Sequence, residues 1–360
     1  MLREDSPFHI RLRADPGLAV WLVRFLLACT RARSRTAARA IAALSSLSLD
    51  LFEELRAAST VEFFYERRGG LTVFLTEEGF AAAHHEAEEM RGLGLPVEVW
   101  SRAEAREREP ALGPGVMGGL YLGGDAHGWS LGFAEGLAAS LRADGVRIES
   151  GVRARSLVTG GGRVRGATIE TGDGERREWG AEETVVALGA WSPAVAGTAG
   201  VRLGILPAKG YSATVRSFAG APRIPVTVAE RKVIITPFGD RVRLAGTLEL
   251  NGFDRSLNEA RYRAIMAGAE AALLRPIPRK DETPWVGFRP LTPTGLPFIG
   301  RPAGAPGLLV ATGHGTLGFT QSLGTGRLIQ EIADGAPPSL DPAPFQPPPA
   351  RLPMPRFSGR

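Results

Sequence analysis

The sequence predicts a mixed chain, α/β plus α+β, in which an incomplete Rossmann-like domain interleaves with a β-rich one. Three observations predict it. First, residues 307–333 read as a buried strand (Leu308-Leu309-Val310-Ala311), then Gly313, Gly315 and Gly318 in Gly-x-Gly-x-x-Gly spacing, then a helix through Leu328, Ile329 and Ile332. Such a turn ordinarily opens a dinucleotide-binding fold, because its glycines let the backbone approach a pyrophosphate and an acid on the next strand holds a ribose. Here no strand is expected to follow: after Gly335 come Pro337, Pro338, Pro342, Pro344 and Pro347, a composition that does not continue a sheet. Second, residues 118–204 alternate strand and helix signals. Third, residues 205–250 carry successive strands. No comparable glycine-rich unit is found before residue 120.

Taken in order, residues 16–58 have helical spacing with few turn residues, and the apolar stretch Leu18–Leu27 is read as a buried helix, with a membrane-facing surface as the alternative. Phe63–Tyr65 and Leu71–Phe74 read as two strands joined at Gly69-Gly70. A helix with His84-His85 follows, read as a solvated face rather than a metal site. Gly119–Leu122 is a short strand, and Ser130 caps a helix whose inner face is Phe133, Leu137 and Leu141. Gly145 ends that helix before a strand at Val146–Ile148. A three-stranded meander turns at Gly160–Gly162 and Asp173-Gly174. Thr184–Leu188 is apolar throughout, which suits a strand buried on both faces. Tyr211–Val215, Val233–Ile235 and Val242–Leu244 are strands, and Ser256 with Glu259 reads as a capping box for a helix with Tyr262, Ile265, Met266, Ala269 and Leu273 inside. The expected domain plan is a substrate domain in 1–117 and 205–288, a cofactor domain in 118–204 and 289–336, and a Pro-rich tail in 337–360.

Composition narrows the function. Of 43 basic residues only Lys209, Lys232 and Lys280 are lysines, and the net charge of +5 comes without basic–aromatic clusters, so no nucleic-acid partner is expected. The single cysteine, Cys29, excludes a disulfide within the chain and argues against a Cys-based metal site. A reducing, cytoplasmic setting is expected. No secretory signal is visible, and Leu18–Leu27 falls short of the roughly 20 residues that span a bilayer.

Several blocks together carry a family resemblance. Trp285-Val286-Gly287-Phe288-Arg289-Pro290-Leu291-Thr292-Pro293-Thr294-Gly295-Leu296-Pro297-Phe298-Ile299-Gly300, followed by Ala311-Thr312-Gly313-His314-Gly315-Thr316-Leu317-Gly318, resembles the C-terminal signature of FAD-dependent D-amino acid dehydrogenases, within the D-amino acid oxidase, glycine oxidase and sarcosine oxidase group. Pro207–Ser212, Ala229–Val233 and Leu188–Ser192 are similar in order and spacing, and Glu4-Asp5-Ser6-Pro7 resembles a stretch inside the family's first third. The resemblance implies FAD and oxidative deamination of D-amino acids to 2-oxo acids and ammonia. It further implies an electron acceptor such as a membrane quinone, reached from the cytoplasm or the inner face of the cytoplasmic membrane. The alternatives are a glycine-, sarcosine- or D-hydroxyproline-type amine oxidoreductase, or a truncated non-catalytic remnant. Family members begin with a Gly-rich βαβ unit for the ADP half of FAD, and this sequence is expected to start after it.

A flavin accepts the hydride, so neither a protein nucleophile nor a metal is needed. Arg289 is the expected anchor for the substrate carboxylate, because a guanidinium fork fixes both oxygens. Tyr211 is a second candidate for the carboxylate or the pocket wall, and His314 is expected to touch the flavin or pack beneath it. Gly313, Gly315, Thr316, Leu317 and Gly318, with the helix after them, are expected to face the flavin pyrimidine with backbone N–H groups. By the family pattern, Val152, Gly189, Ala190 and Trp191 line the adenine and phosphate side.

Overall fold

The computed structural model describes residues 8–10, 16–58 and 60–350. Glu4-Asp5-Ser6-Pro7 and the last ten residues of the Pro-rich tail lie outside the described residues. The chain forms two units: residues 1–12, 60–140 and 208–288 make the first, and residues 13–59, 141–207 and 289–360 make the second.

The first unit is built on a nine-stranded sheet. Its order is Thr283–Leu291, Leu206–Arg216, Arg241–Leu250, Val233–Phe238, Val226–Val228, Gly70–Phe74, Gly118–Leu122 and Val97–Ser101, with Phe8–Ile10 running parallel to Arg241–Leu250. The hairpin at Gly239-Asp240 sets Phe238 opposite Arg241. Helix Glu259–Glu270 supplies Tyr262, Ile265, Met266 and Ala269 to a core with Val233, Ile235, Val242 and Leu244. At the far end, helix Glu77–Gly92 buries Ala83 and Ala87 against Phe74, Val97 and Leu120. Two local expectations are corrected here. Tyr65-Glu66 pairs with His127-Gly128, and Gly70–Phe74 with Gly118–Leu122, so Gly69-Gly70 joins no hairpin. The cap of helix Glu259–Glu270 is Asn258, whose Oδ1 accepts from Arg261 N at 3.2 Å. Ser256 instead donates to Asp254 Oδ2 at 2.9 Å, since the nearer carboxylate claims its hydroxyl.

The second unit holds a small sheet in which Thr184–Val186 runs parallel to Leu308–Thr312, and Phe298–Gly300 pairs antiparallel with the latter. A separate meander, Arg153–Gly160, Arg163–Glu170 and Arg176–Gly180, forms as expected. The long helix Arg31–Ala58 buries Leu44, Ser48 and Phe52, a stripe at i, i+4, i+8. It packs on helix Ser322–Asp334, where Gly324 permits the approach: a Cβ there would stand 2.9 Å from Leu44 O. Sequence order groups this long helix with residues 1–117, yet its packing partner lies near the other end of the chain. Leu44, Ile299, Leu328 and Phe345 form one core cluster, so part of the Pro-rich tail is packed structure.

Three expectations fail in this unit for one reason, the absence of a covering neighbour among the described residues. Val146–Ile148 is not a strand. Thr184–Val186 is paired along one edge only, and Val185 is 46% exposed rather than buried on both faces. Helix Pro16–Ala28 is largely exposed instead of buried, with Trp21 alone inside, where its Nε1 donates to Gly204 O at 3.1 Å.

Candidate active site

The site is built at the carboxyl ends of the two parallel strands, where open α/β sheets place ligands. Thr184–Val186 leads into a tight turn, Gly189–Trp191, and Leu308–Thr312 leads into Gly313–Gly318. Thr312 ties the two together: its Oγ1 donates to Gly189 O at 3.0 Å and accepts from Ser192 Oγ at 3.0 Å. Both hydroxyl residues are buried, so this short chain of bonds fixes the spacing of the two turns.

Gly313 has φ +86°, and a Cβ there would stand 2.6 Å from Thr292 Cγ2. Gly315 has φ +55° and donates its N–H to Pro290 O at 3.0 Å. Leu291 and His314 form a β-bridge. These main-chain contacts set the end of strand Thr283–Leu291, and with it Arg289, against the glycine-rich turn. Helix Ser322–Asp334 begins later than the spacing suggested, after a run of turn at 315–321.

His314 Nε2 shares a hydrogen bond with Thr325 Oγ1 at 2.9 Å. Burial pushes its imidazole from the ordinary 6.5 down to about 4, so the ring is neutral at pH 7. Burial likewise lowers the pKa of Arg289, which stays cationic because guanidinium starts so high. Arg289 is partly buried, and a cation partly withdrawn from water attracts a carboxylate more strongly than an exposed one.

Ala190 is buried, whereas Trp191 is 46% exposed beside the exposed Leu188. Gly189 has φ +55°, and a Cβ added there would meet no atom within 4 Å. An uncovered apolar ledge next to open backbone, tied through Thr312 to the strand that leads into the glycine-rich turn, has the chemistry to receive a flat, largely uncharged ring. The residues present therefore fit the flavin end of FAD. For the ADP half, no strand–glycine turn–helix–strand unit with a ribose-binding acid occurs among the described residues. Val152 stands just ahead of strand Arg153–Gly160, in the meander.

Tyr211 belongs to the first unit, where it is 1% exposed and its hydroxyl donates to Glu249 Oε2 at 2.6 Å. Desolvation, then that bond, pushes the phenol pKa up. Glu249 is also 3.5 Å from Lys209 Nζ and 3.9 Å from Arg261 Nε. Lys209 stands directly opposite Glu249 in the antiparallel ladder and reaches Asp254 Oδ2 at 3.3 Å and Ser256 O at 3.1 Å. The structure thus gathers His314, Gly189–Trp191 and Gly313–Gly318 at one end of the small sheet, brings the Arg289 segment to them through Pro290 and Leu291, and places Tyr211 in a buried ionic cluster of the other unit. Ser192, Thr312 and Thr325 were not singled out from sequence. Thr312 and Ser192 do lie inside the quoted signature blocks, which was the available signal.

The family described as DAO, FAD dependent oxidoreductase, matches residues 19–332. A D-amino acid dehydrogenase of Paramagnetospirillum magneticum is 38% identical over 344 residues, covering 94% of this chain and 80% of that protein. One from Dechloromonas aromatica is 34% identical, covering 93% and 81%. Among solved structures, glycine oxidase from Bacillus cereus superposes with a TM-score of 0.74 at 21% identity, covering 86% of this chain and 85% of that one. L-amino acid deaminase from Proteus vulgaris gives 0.68 at 19%, covering 84% and 83%. The fold is theirs, and the chain belongs to the DAO family of FAD-dependent oxidoreductases.

Proposed function

We propose that this chain oxidises D-amino acids to 2-oxo acids and ammonia, using FAD and passing electrons to a quinone-type acceptor at the inner face of the cytoplasmic membrane. The observation that carries the reading is the main-chain coupling of Arg289 to the glycine-rich turn through Gly315 N–H to Pro290 O at 3.0 Å. It holds a partly buried cation beside the surface that fits a flavin. FAD, when bound, supplies the hydride acceptor. Arg289 anchors the substrate carboxylate through its fork and so fixes which substituent of Cα points at the ring. Gly313–Gly318 and the start of helix Ser322–Asp334 favour negative charge at the pyrimidine edge of the ring. Gly189, Ala190 and Trp191, with Val152, would line the adenine and phosphate side of FAD. His314 is neutral and fixed by Thr325, so it packs and orients without moving a proton at pH 7. Water then hydrolyses the released imino acid. In this reading the second unit is the cofactor domain and the first the substrate domain.

The test is to load the purified 360-residue chain with FAD, record its visible spectrum, and add D-alanine, L-alanine, glycine or sarcosine without oxygen. Bleaching by D-alanine ahead of the others is the expected result. Bleaching by sarcosine with D-alanine inert would move the assignment to secondary amines, and absence of flavin uptake would overturn the cofactor reading for this chain.

A further inference from the structure

The redox reading leaves unused an arginine on the open face of the large sheet. Strand Arg241–Leu250 turns Val242 and Leu244 into the core shared with helix Glu259–Glu270, so alternation puts Arg243 on the opposite face. Thr214 and Thr236 lie on that face too, since Ala213, Val215 and Ile235 are core residues. Thr214 stands directly opposite Arg243 on one neighbouring strand and Thr236 on the other, each about one strand spacing of 4.8 Å away. Two positions from Thr236, Ile234 is 44% exposed, so solvent reaches this face.

Among the described residues of the first unit, the lysines and arginines that are not exposed are Lys209, Arg243 and Arg261. Lys209 and Arg261 both meet Glu249. Arg243 meets no carboxylate: its Nε reaches Thr214 Oγ1 at 3.4 Å, the long limit of a hydrogen bond, and its Cζ lies 5.5 Å from the centroid of the Phe238 ring. Burial lowers its pKa with no acid nearby to raise it again. The ring is held in place by Trp129, stacked at 6.4 Å, and by Phe64 at 6.5 Å. An aromatic ring backs a guanidinium without using its N–H donors. The two Nη groups, the fork that grips a carboxylate, are therefore uncommitted.

Withdrawing a cation from water without a partner carries a free-energy cost, and an incoming anion offsets it. One guanidinium between two hydroxyls matches a group with a single negative charge and two oxygens. We propose that Arg243, Thr214 and Thr236 form a carboxylate-binding site on the first unit, distinct from the Arg289 anchor, that takes small organic acids. Its carboxylate comes either from a separate acid such as a 2-oxo acid or from the side chain of an acidic amino acid. Only the second source rests on the redox reading.

The experiment follows thermal unfolding of the full chain without flavin, at constant ionic strength, as pyruvate or glutarate replaces chloride. It is run on the parent and on Arg289→Leu, which removes the anchor proposed above. Either acid should raise the melting temperature of both proteins with increasing concentration. Arg243→Met should weaken the apparent affinity about ten- to hundredfold, and Arg243→Lys, which keeps the charge but loses the fork, should recover only part of it. Arg241→Met, exposed two positions along the same strand, should leave binding unchanged. Without added acid, Arg243→Met should melt no lower than its parent, because the arginine has no ion pair to lose. A lower melting temperature with acid binding intact would make Arg243 a structural residue and overturn the proposal, as would a parent that neither acid stabilises. In FAD-loaded protein, a fall in the ratio of D-glutamate to D-alanine kcat/KM on Arg243→Met assigns the carboxylate to a substrate side chain. An unaltered ratio, with pyruvate binding lost, assigns it to a separate acid. If no amino acid reduces the flavin, the redox reading fails while the melting result still decides this one.

Discussion

Replacing Lys209 by Met removes an ammonium from a site only 1% exposed and leaves Glu249, itself 5% exposed, inside the first unit. Met preserves the apolar stem, so little cavity is created and the change isolates the charge. The lost contacts are Glu249 Oε2 at 3.5 Å, Asp254 Oδ2 at 3.3 Å and Ser256 O at 3.1 Å. Glu249 keeps the Tyr211 hydroxyl at 2.6 Å, but its remaining cation, Arg261, lies at 3.9 Å, the outer limit of an ion pair. Breaking a buried pair from one side costs about 3–5 kcal/mol. That is a large fraction of a typical stability of roughly 5–15 kcal/mol. Urea unfolding at pH 7 followed by tryptophan fluorescence measures the change, with Trp100 buried in the same core. A companion variant that adds Glu249→Gln removes the stranded charge and should recover on the order of 1–3 kcal/mol. If Lys209→Met unfolds within about 1 kcal/mol of the parent, Arg261 and Tyr211 already neutralise Glu249 and the reasoning is refuted.

Tyr211→Phe should cost about 1.5–3 kcal/mol, the value of a buried bond to a charged acceptor, with kcat/KM nearly unchanged; a large fall in kcat at parental stability would put the hydroxyl on the substrate. Arg289→Leu in FAD-loaded protein should lower kcat/KM for D-alanine about 10²–10³-fold, mainly through KM, and unchanged saturation would remove Arg289 as the anchor. Gly313→Ala combines φ +86° with a 2.6 Å approach to Thr292, so a loss of roughly 1–3 kcal/mol with weaker flavin retention is expected by thermal melts and flavin titration. His314 has its pKa depressed to about 4 by burial, so the stability it contributes is present above 6.5 and disappears as pH falls towards 4. His314→Asn should flatten the stability profile across that window, and an unchanged slope would mean that the ring titrates normally.

The two glycine turns proposed to hold the cofactor were legible as turns because their signals are local. Gly313 and Gly315 do sit at positive φ, and the block around Arg289 is contiguous in sequence. What escaped was set by distant partners. Ser256 and Glu259 have the spacing of a capping box, yet Asp254, two residues away, takes the serine and leaves the cap to Asn258. Val146–Ile148 has strand composition, but a strand requires a neighbour to pair with, and composition does not report one. Thr184–Leu188 looked doubly buried for the same reason. The Lys209–Glu249 pairing joins residues forty positions apart and depends on register, although opposite charges at inward positions of two adjacent strands were a readable hint. Helix Pro16–Ala28 shows the limit of periodicity: apolar spacing specifies a face that avoids water, without specifying what covers it.

The interleaved division of the chain bears on how it is made. Synthesis runs from the N-terminal side onward, and the first unit has its last stretch only when Phe288 has left the ribosome; the second waits for residues 289–360. Helix Arg31–Ala58 emerges early carrying Leu44 and Phe52, while its partner, Ser322–Asp334, follows only after most of the polypeptide has been extruded. Throughout that interval its apolar stripe lacks its native cover, a condition that invites holdase binding and slow, non-local closure. Nor can a single protease cut release either unit whole, since each is stitched from three separate lengths of chain.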